Sequence, residues 1–172
     1  MAGLGDIVKQ QQEILNDNEE DKISEDIVQL VGFVVGEEEF AVPILAIQEI
    51  IKPIEWTRIP FVADYVLGVF NLRGNVLPLI DLRKKFGVEA GEIDENTRFI
   101  VMKIKDENVA FVIDKLTSAL RINKNNILPP PETYTTESDE IIEGIGRMED
   151  GRIITILKVD NLVKREEIVP NN

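Results

Sequence analysis

The feature that most constrains the fold of this chain is an internal repeat. Residues 39–51 read EFAVPILAIQEII and residues 108–120 read NVAFVIDKLTSAL, with an apolar run at the same place in both. Further on, VLGVFNLRGNVLPLIDL at 66–82 is echoed by IEGIGRMEDGRIITILKV at 142–159. A repeat at an offset of about 70–77 residues indicates two copies of one structural unit. The chain is therefore predicted to form two small barrels, and only the first has Asn-Leu-Arg-Gly at a hairpin tip.

Short apolar runs separated by turns make up most of the chain after residue 26. They have the length of strands and are rich in Val, Ile and Phe, which pack well on a pleated surface. This spacing is typical of barrels or sandwiches and not of a parallel sheet. The predicted strands are 28–35, 40–43, 66–72, 76–80, 99–104, 109–113, 116–122, 141–147 and 153–157.

Three short helices are predicted between the strands. Asp81 can cap a helix over 82–86, and Gly87 can adopt the left-handed conformation that ends it. Apolar residues spaced three and four apart predict a second helix over 44–51. A third is expected over 159–165.

Composition excludes most catalytic chemistry. The chain has 172 residues, 44% of them hydrophobic, and contains neither histidine nor cysteine. The usual general base near neutral pH, the thiolate nucleophile and the common zinc ligands are therefore missing, and disulfides are excluded. We expect no cofactor and no metal. No apolar run approaches the ~20 residues that cross a bilayer, and residues 1–12 lack the apolar segment of a signal peptide, so a cytoplasmic protein is predicted.

Nearly half of the net charge of −13 lies in the first 26 residues. The first 26 residues contain eight carboxylates and two lysines. This segment is predicted to be an acidic leader that is disordered or, through 7–15, partly helical, because Ile7, Ile14 and Leu15 lie near one helical face. An acidic chain repels phosphate backbones, so nucleic acid is not expected as a partner.

An ordered series of motifs resembles one known family. It comprises Glu-Phe-Ala-Val-Pro-Ile at 39–44, Ile-Gln-Glu-Ile at 47–50, Arg-Ile-Pro at 58–60, Gly-Val-Phe-Asn-Leu-Arg-Gly at 68–74 and Pro-Leu-Ile-Asp-Leu-Arg at 78–83. With further similarity up to residue 163, the chain resembles the CheW family of chemotaxis coupling proteins.

This resemblance implies a fold and a role. The fold would be mainly β, with two intertwined SH3-like five-stranded barrels spanning 27–165 and a C-terminal tail at 166–172. The role would be that of a non-enzymatic adaptor linking chemoreceptors to the histidine kinase CheA in signalling arrays. The implied partners are the hairpin tip of the receptor's cytoplasmic part, the regulatory domain of the kinase and other CheW-like domains, without insertion into the membrane.

The resemblance also assigns candidate binding residues. Arg73, Glu49 and Ile47 match positions at the groove that receives the receptor tip. Without the resemblance, Arg73 and Glu49 would be interpreted as solvated charges and Ile47 as a core residue, although an exposed guanidinium suits bidentate capture of a carboxylate. Leu128 and Thr133 match a region of the second barrel that meets the kinase, with no independent support from the residues themselves.

Four other residues are predicted to have structural roles in the backbone. Gly74 supplies a positive φ angle at the hairpin, Gly68 allows close approach of two strands, and Asp81 and Gly87 begin and end a helix. Asp81 could alternatively form an acid/base pair with Asp114, although capping accounts for it better.

Three other functions are compatible with parts of the sequence. The chain could be the coupling half of a CheV-type protein, although no room for a receiver domain follows Asn172. It could be an oligonucleotide-binding small barrel, which its acidity opposes. It could be a carboxylate-based enzyme, which requires two converging acids in a deep pocket.

Overall fold

The computed structural model describes residues 26–133 and 140–168, which form two antiparallel-rich sheets joined by short turns. Within these ranges eleven strands, two short α-helices and three 3-10 turns are described over their full length, and residues 140–141 are also helical. The strands are β1 (Ile27–Val35), β2 (Glu38–Pro43), β3 (Ile47–Ile51), β4 (Val66–Leu72), β5 (Asn75–Asp81), β6 (Arg98–Ile104), β7 (Glu107–Ile113), β8 (Lys115–Asn123), β9 (Ile127–Leu128), β10 (Ile142–Arg147) and β11 (Ile153–Leu157). The helices are α1 (Leu82–Lys85) and α2 (Arg165–Ile168), and the 3-10 turns are Ile44–Ala46, Lys124–Asn126 and Val159–Asn161.

The two sheets repeat one strand order. The first is β3-β6-β7-β5-β4, and the second is β8-β1-β2-β11-β10-β9. Each contains one parallel pair at the equivalent place, β5 with β7 and β11 with β2. Each sheet also takes its central hairpin from the other half of the sequence, β6–β7 in the first and β1–β2 in the second. The predicted mainly β fold with two SH3-like barrels is confirmed, although only the first sheet has the predicted five strands and the second has six.

Each sheet closes on itself through the segment that follows its outer strand. After β3 the chain continues to Thr57, which exchanges two backbone hydrogen bonds with Val69 of β4, at 2.7 and 2.9 Å. In the second sheet β8 continues through a 3-10 turn into β9, where Leu128 pairs with Ile145 of β10. Closure leaves few unpaired strand edges, which suits a small β domain in water.

A shared core joins the barrels. Its largest cluster combines side chains of both sheets, including Phe33 and Val42 from the second with Ile100 and Phe111 from the first. Smaller clusters fill each barrel separately, around Phe99 in the first and around Leu30 and Ile154 in the second. Because burying one such side chain stabilises the fold by about 1.5–3 kcal/mol, the shared cluster holds the two barrels together.

Two of the three predicted helices are wrong in part. Residues 44–51 form a 3-10 turn followed by strand β3, which pairs with β6. The β-branched residues Ile47, Ile50 and Ile51 favour a strand once a neighbouring strand is available. At the carboxyl end, the predicted helix over 159–165 is a 3-10 turn at Val159–Asn161 and a separate helix α2.

Some sequence predictions fall at the limits of the described residues. The predicted leader lies outside them except for Asp26, and of the predicted tail only Glu166–Ile168 is described, as part of α2. In the part of the chain that is described, no helix combines the length and the apolar character needed to cross a bilayer.

Helix α2 is attached to the first barrel through a partly buried polar cluster. Glu167 accepts a hydrogen bond from the Lys85 ammonium at 3.0 Å, and that ammonium lies 4.4 Å from the centre of the Tyr65 ring. Burial raises the pKa of Glu167, but hydrogen bonds from the Lys164 N–H and from Lys85 lower it by more, so its pKa lies below the usual range. Glu167 is therefore held as a carboxylate. Ile168 packs on the shared core beside this cluster.

The ionisation of Tyr65 tests this cluster. Burial, followed by the charge of Glu167 and the hydrogen bond to it, raises the pKa of Tyr65 to about 12. Because the folded-state pKa exceeds the ordinary value of about 10, the contribution of Tyr65 to stability is complete below pH ~10 and is lost as the pH rises towards ~12. Ultraviolet absorbance should therefore show a tyrosinate transition near pH 12, well above the ordinary value. This transition should disappear in Tyr65→Phe, and its absence from the folded wild-type protein would contradict the burial of Tyr65.

Candidate functional site

The hairpin between β4 and β5 presents an arginine at its tip. Arg73 and Gly74 form a two-residue turn with φ angles of 53° and 86°. Positive φ at both central residues is the geometry of a type I′ turn, which matches the twist of the flanking strands. The Gly74 N–H also donates to Asn71 Oδ1 at 2.9 Å. The turn thus holds the Arg73 side chain outward, where it is 76% exposed.

Glu49 of β3 meets this arginine. Its Oε1 atom lies 2.6 Å from Arg73 Nη2, and its side chain is 30% exposed. The two residues are brought together by barrel closure, because the segment after β3 pairs with β4 at Thr57 and Val69. An exposed ion pair of this kind contributes only about 0–1 kcal/mol to stability. The pair is therefore accessible to a partner at little structural cost.

Ile47 has a mixed environment on the same strand. It pairs with Met102 of β6, and a register shift separates it from Glu49. Its side chain is partly buried and packs on the shared core. The structure thus unites Glu49 and Arg73 as an exposed pair and places Ile47 at the boundary between that surface and the core.

Two strongly exposed apolar side chains could not be assigned a role from the sequence. Leu45, in the turn just before β3, is 92% exposed. Phe61 is 78% exposed and has a φ angle of 62°, which is strained for a bulky residue. The exposure of Leu45 was not predicted because Leu45 lies in the segment that was wrongly predicted to be a helix. For Phe61, the only sequence feature that could have indicated an unusual backbone is the proline before it.

Phe61 borders an open cleft on the first barrel. The cleft has a volume of about 980 Å³ and is lined by Trp56, Arg58, Phe61 and Lys84 among others. Trp56 is anchored there by edge-on contact with the buried Phe99, at 6.2 Å between ring centres. Exposed aromatic and basic side chains in one concave surface are typical of protein interfaces.

The residues predicted to contact the kinase lie on the second barrel. Leu128 ends the short strand β9 and is exposed, and Thr133 is an exposed residue of the following turn. They belong to a different barrel from Arg73 and Glu49. The chain therefore carries two separate candidate surfaces.

The glycines and the helix cap have defined backbone roles. Gly68 has a φ angle of 148°, and a Cβ atom there would lie 2.0 Å from the Thr57 carbonyl oxygen. Gly87 has a φ angle of 71° just after α1, and the Asp81 carboxylate accepts the Arg83 N–H at 3.0 Å at its start. These residues set the backbone conformation of strand β4 and helix α1.

A buried ion cluster beneath α1 was missed by sequence reasoning. The Arg83 guanidinium donates to both oxygens of Asp81 at 3.0 Å and to Asp114 at 3.3 Å. The hydrogen bond to Asp81 raises the pKa of Arg83, against the effect of burial. Asp114 also accepts the Gly36 N–H, at 2.7 Å. Because both carboxylates are ion-paired to one guanidinium, this arrangement is a structural clamp between the halves of the chain and offers no free acid/base pair.

Over residues 26–133 and 140–168, no three Asp or Glu side chains converge in a way that could hold a metal ion. Over the same ranges, every buried side-chain nitrogen and oxygen has a hydrogen-bond partner.

Comparison with known proteins places the chain in a family. The CheW-like domain family matches residues 29–167. The chain is 44% identical to the chemotaxis protein CheW of Helicobacter pylori over 163 residues, which is 95% of this chain and 97% of that protein. It is 31% identical to the chemotaxis protein CheW of Bacillus subtilis, over 80% of this chain and 87% of the relative. The crystal structure of the scaffolding protein TtCheW from Thermoanaerobacter tengcongensis superposes with a TM-score of 0.75 at 30% identity, covering 84% of this chain and 99% of that one. The chain therefore belongs to the CheW family.

Proposed function

We propose that this protein is a non-enzymatic chemotaxis scaffold that couples chemoreceptors to a CheA-type histidine kinase. Its membership of the CheW family supports the class of function, and its relatives are named chemotaxis and scaffolding proteins. Signalling then depends on assembly of the partners and involves no reaction in this chain. Such assemblies lie beneath the membrane, to which this protein is tied only through its partners.

The proposed receptor contact rests on the exposed ion pair between Arg73 and Glu49. The only hydrogen bond described for the guanidinium is the one to Glu49, so its remaining N–H groups can donate to a partner. The chemistry fits the end of a helical hairpin, where carbonyl oxygens and carboxylates accept from such a fork. Ile47 and the exposed Ile44 supply apolar surface alongside for the ridge of that hairpin.

The kinase contact is assigned to apolar surfaces on both barrels. The cleft around Trp56 and Phe61 suits an edge of the first barrel pairing with the related regulatory domain of the kinase. Leu128 and Thr133 suit the contact made by the second barrel. Array contacts must form and break, so micromolar constants are expected, equivalent to about −8 kcal/mol for each contact.

A binding experiment with purified components tests the whole proposal. The full chain is immobilised and offered the cytoplasmic receptor tip, the regulatory domain of the kinase, and both together. We expect each partner to bind alone and the two to bind simultaneously, because their surfaces are separate. Competition between them for one surface, or no binding of either, would contradict the proposal.

Charge reversal at the hairpin tip gives the sharpest single prediction. Arg73→Glu should weaken receptor binding by about 1–3 kcal/mol, or roughly 5–150-fold, as for a hot-spot arginine. The melting temperature should change by only a few degrees, because the side chain is exposed and the pair contributes little to stability. Isothermal titration and thermal denaturation measure the two effects.

A charge swap distinguishes recognition from stabilisation of the hairpin. The double variant Glu49→Arg with Arg73→Glu can re-form the ion pair with its charges exchanged. If the pair only fixes the hairpin, receptor binding should recover. If each charge contacts the receptor, as proposed, the double variant should bind as weakly as Arg73→Glu.

A further inference from the structure

Phe61 combines two unfavourable features in the segment between β3 and β4. Its side chain is 78% exposed to water, and its φ angle of 62° places the backbone in the left-handed region. Exposure leaves the apolar surface of the ring in water, and a left-handed backbone is strained for a bulky aromatic residue. Both features lower the stability of the free chain.

The other left-handed residues, glycines apart, have a local explanation. Over residues 26–133 and 140–168 they are Arg73, Lys105 and Asp106. Arg73 lies in the two-residue turn between β4 and β5, and Lys105 and Asp106 form the two-residue turn between β6 and β7. In such hairpins the twist of the strands favours positive φ angles. Phe61 lies in no hairpin, so strand pairing does not explain its conformation.

The backbone is fixed on both sides of Phe61. Before it, Thr57 is hydrogen-bonded to strand β4. After it, Val62 and Ala63 pack on the shared core, and the Ala63 carbonyl accepts the Val66 N–H at 3.0 Å. Strained backbone persists only where the surrounding structure holds it, and it is concentrated at functional sites. The fold therefore holds the Phe61 ring outward in a preset conformation.

The surface beside Phe61 defines the chemistry of a partner. Trp56 lines the cleft there, together with the basic residues Arg58 and Lys84 and the carboxylate of Asp64. Within the described ranges, neither Arg58 nor Lys84 takes part in an ion pair. Both are exposed, and they make the cleft basic although the chain as a whole has a net charge of −13. A complementary protein surface has an apolar pocket for the ring and carboxylates at the edge of that pocket.

We propose that Phe61 is the anchor residue through which the cleft of the first barrel holds the regulatory domain of the kinase. This inference rests on the proposed function, which assigns the cleft to that domain. The ring enters an apolar pocket of the domain, and Arg58 and Lys84 pair with carboxylates beside it. Because the backbone of Phe61 is already fixed in the free chain, the complex forms without a further cost for ordering the anchor.

The substitution Phe61→Asn separates a binding role from a structural one. Asparagine tolerates the left-handed conformation much better than phenylalanine, so the variant keeps the loop and lacks the ring. We expect the dissociation constant for the purified regulatory domain to rise about tenfold or more, as for a hot-spot residue. The melting temperature should rise by about 2–4 °C, because backbone strain is relieved. Isothermal titration and thermal denaturation of the full chain measure the two effects.

Val76→Asn is the matched control for the loss of an exposed apolar side chain. Val76 is 66% exposed on the first barrel but does not line the cleft, so its replacement should leave binding of the regulatory domain unchanged. Equal affinities of Phe61→Asn and the wild-type chain would overturn the anchor role and leave the proposed function intact. A lower melting temperature together with weaker binding in Phe61→Asn would give Phe61 a structural role and would also overturn the proposal.

The single tryptophan of the chain locates the contact. Because Trp56 lines the cleft, incorporated 5-fluorotryptophan gives one fluorine NMR signal from this surface. Unlabelled regulatory domain should shift or broaden that signal, and Phe61→Asn should require about tenfold or more of the domain for the same change. Binding of the domain without any change in the signal would place the contact elsewhere, such as at Leu128, and would overturn the anchor role alone.

Two other outcomes of the same titration are also decisive. If the receptor tip changes the Trp56 signal and the regulatory domain does not, the cleft belongs to the receptor and the anchor role is wrong. If the wild-type chain binds no regulatory domain at all, the proposed coupling to the kinase fails, and the anchor role fails with it.

Discussion

Replacing Arg83 by methionine should lower the free energy of unfolding by about 3–5 kcal/mol. The guanidinium is buried and is the shared partner of Asp81 and Asp114. Removing it leaves the buried Asp81 carboxylate without its counter-ion, which costs far more than an exposed ion pair contributes. The loss also opens the link from α1 to Asp114 and, through the Gly36 N–H, to the β1–β2 turn.

Lys84→Met is the matched control for this prediction. Lys84 is the next residue of the same helix, but it is exposed, so its replacement should change the unfolding free energy by no more than about 0.5 kcal/mol. Urea denaturation followed by circular dichroism measures both variants. Adding Asp81→Asn to Arg83→Met should recover part of the loss, because an asparagine is neutral and still caps α1. A loss below about 1 kcal/mol in Arg83→Met would mean that water reaches the Asp81 carboxylate.

The β architecture could be predicted from the sequence because each strand has a local residue pattern that is typical of strands. Runs such as 66–72 and 99–104 are β-branched and aromatic, end at turns and match the observed strands β4 and β6 closely. The segment 44–51 was misassigned because its isoleucines also fit the period of a helix. Pairing with β6 selects the strand over the helix. Because β6 lies about 50 residues away in sequence, a local residue pattern cannot predict this pairing.

The individual residues of the candidate site could be predicted from the sequence, but the contact between Arg73 and Glu49 could not. Asn71 and Gly74 mark a hairpin turn, so the exposure of Arg73 followed from the sequence. That Glu49 would lie against Arg73 depends on closure of the barrel at Thr57 and Val69, which no local pattern encodes. The Arg83 cluster was missed for the same reason, because Asp114 comes from the end of a distant strand.

Gly68→Ala should be among the most destabilising substitutions that add only one methyl group to this chain. A Cβ atom at residue 68 would lie 2.0 Å from the Thr57 carbonyl oxygen and 2.7 Å from its carbon. These are backbone atoms of the segment that closes the first barrel, so they cannot move aside without breaking the hydrogen bonds between Thr57 and Val69. Overpacking costs about 1–3 kcal/mol and the unfavourable φ angle a similar amount, so we expect a loss of about 3–5 kcal/mol.

Three other glycines provide a graded series of controls. Gly144 stands at the equivalent place in the second barrel, where a Cβ atom would meet the Leu128 carbonyl oxygen at 2.8 Å, so alanine there should cost less than at residue 68. Gly74→Ala meets no atom within 4 Å and should cost only about 1–2 kcal/mol, from its positive φ angle. Gly91→Ala has open space around it and should be nearly neutral.

The Gly68 series also connects the fold to the proposed receptor contact. Closure at Thr57 brings Glu49 to Arg73, so a Gly68→Ala protein that remains folded at low temperature should bind the receptor tip more weakly, although the substitution touches neither residue. Gly144→Ala should leave that binding unchanged, because it affects the other barrel. If Gly68→Ala and Gly144→Ala weaken receptor binding equally, the site depends on overall stability and not on the closure of the first barrel. Titrations of both variants at matched folded fractions separate the two explanations.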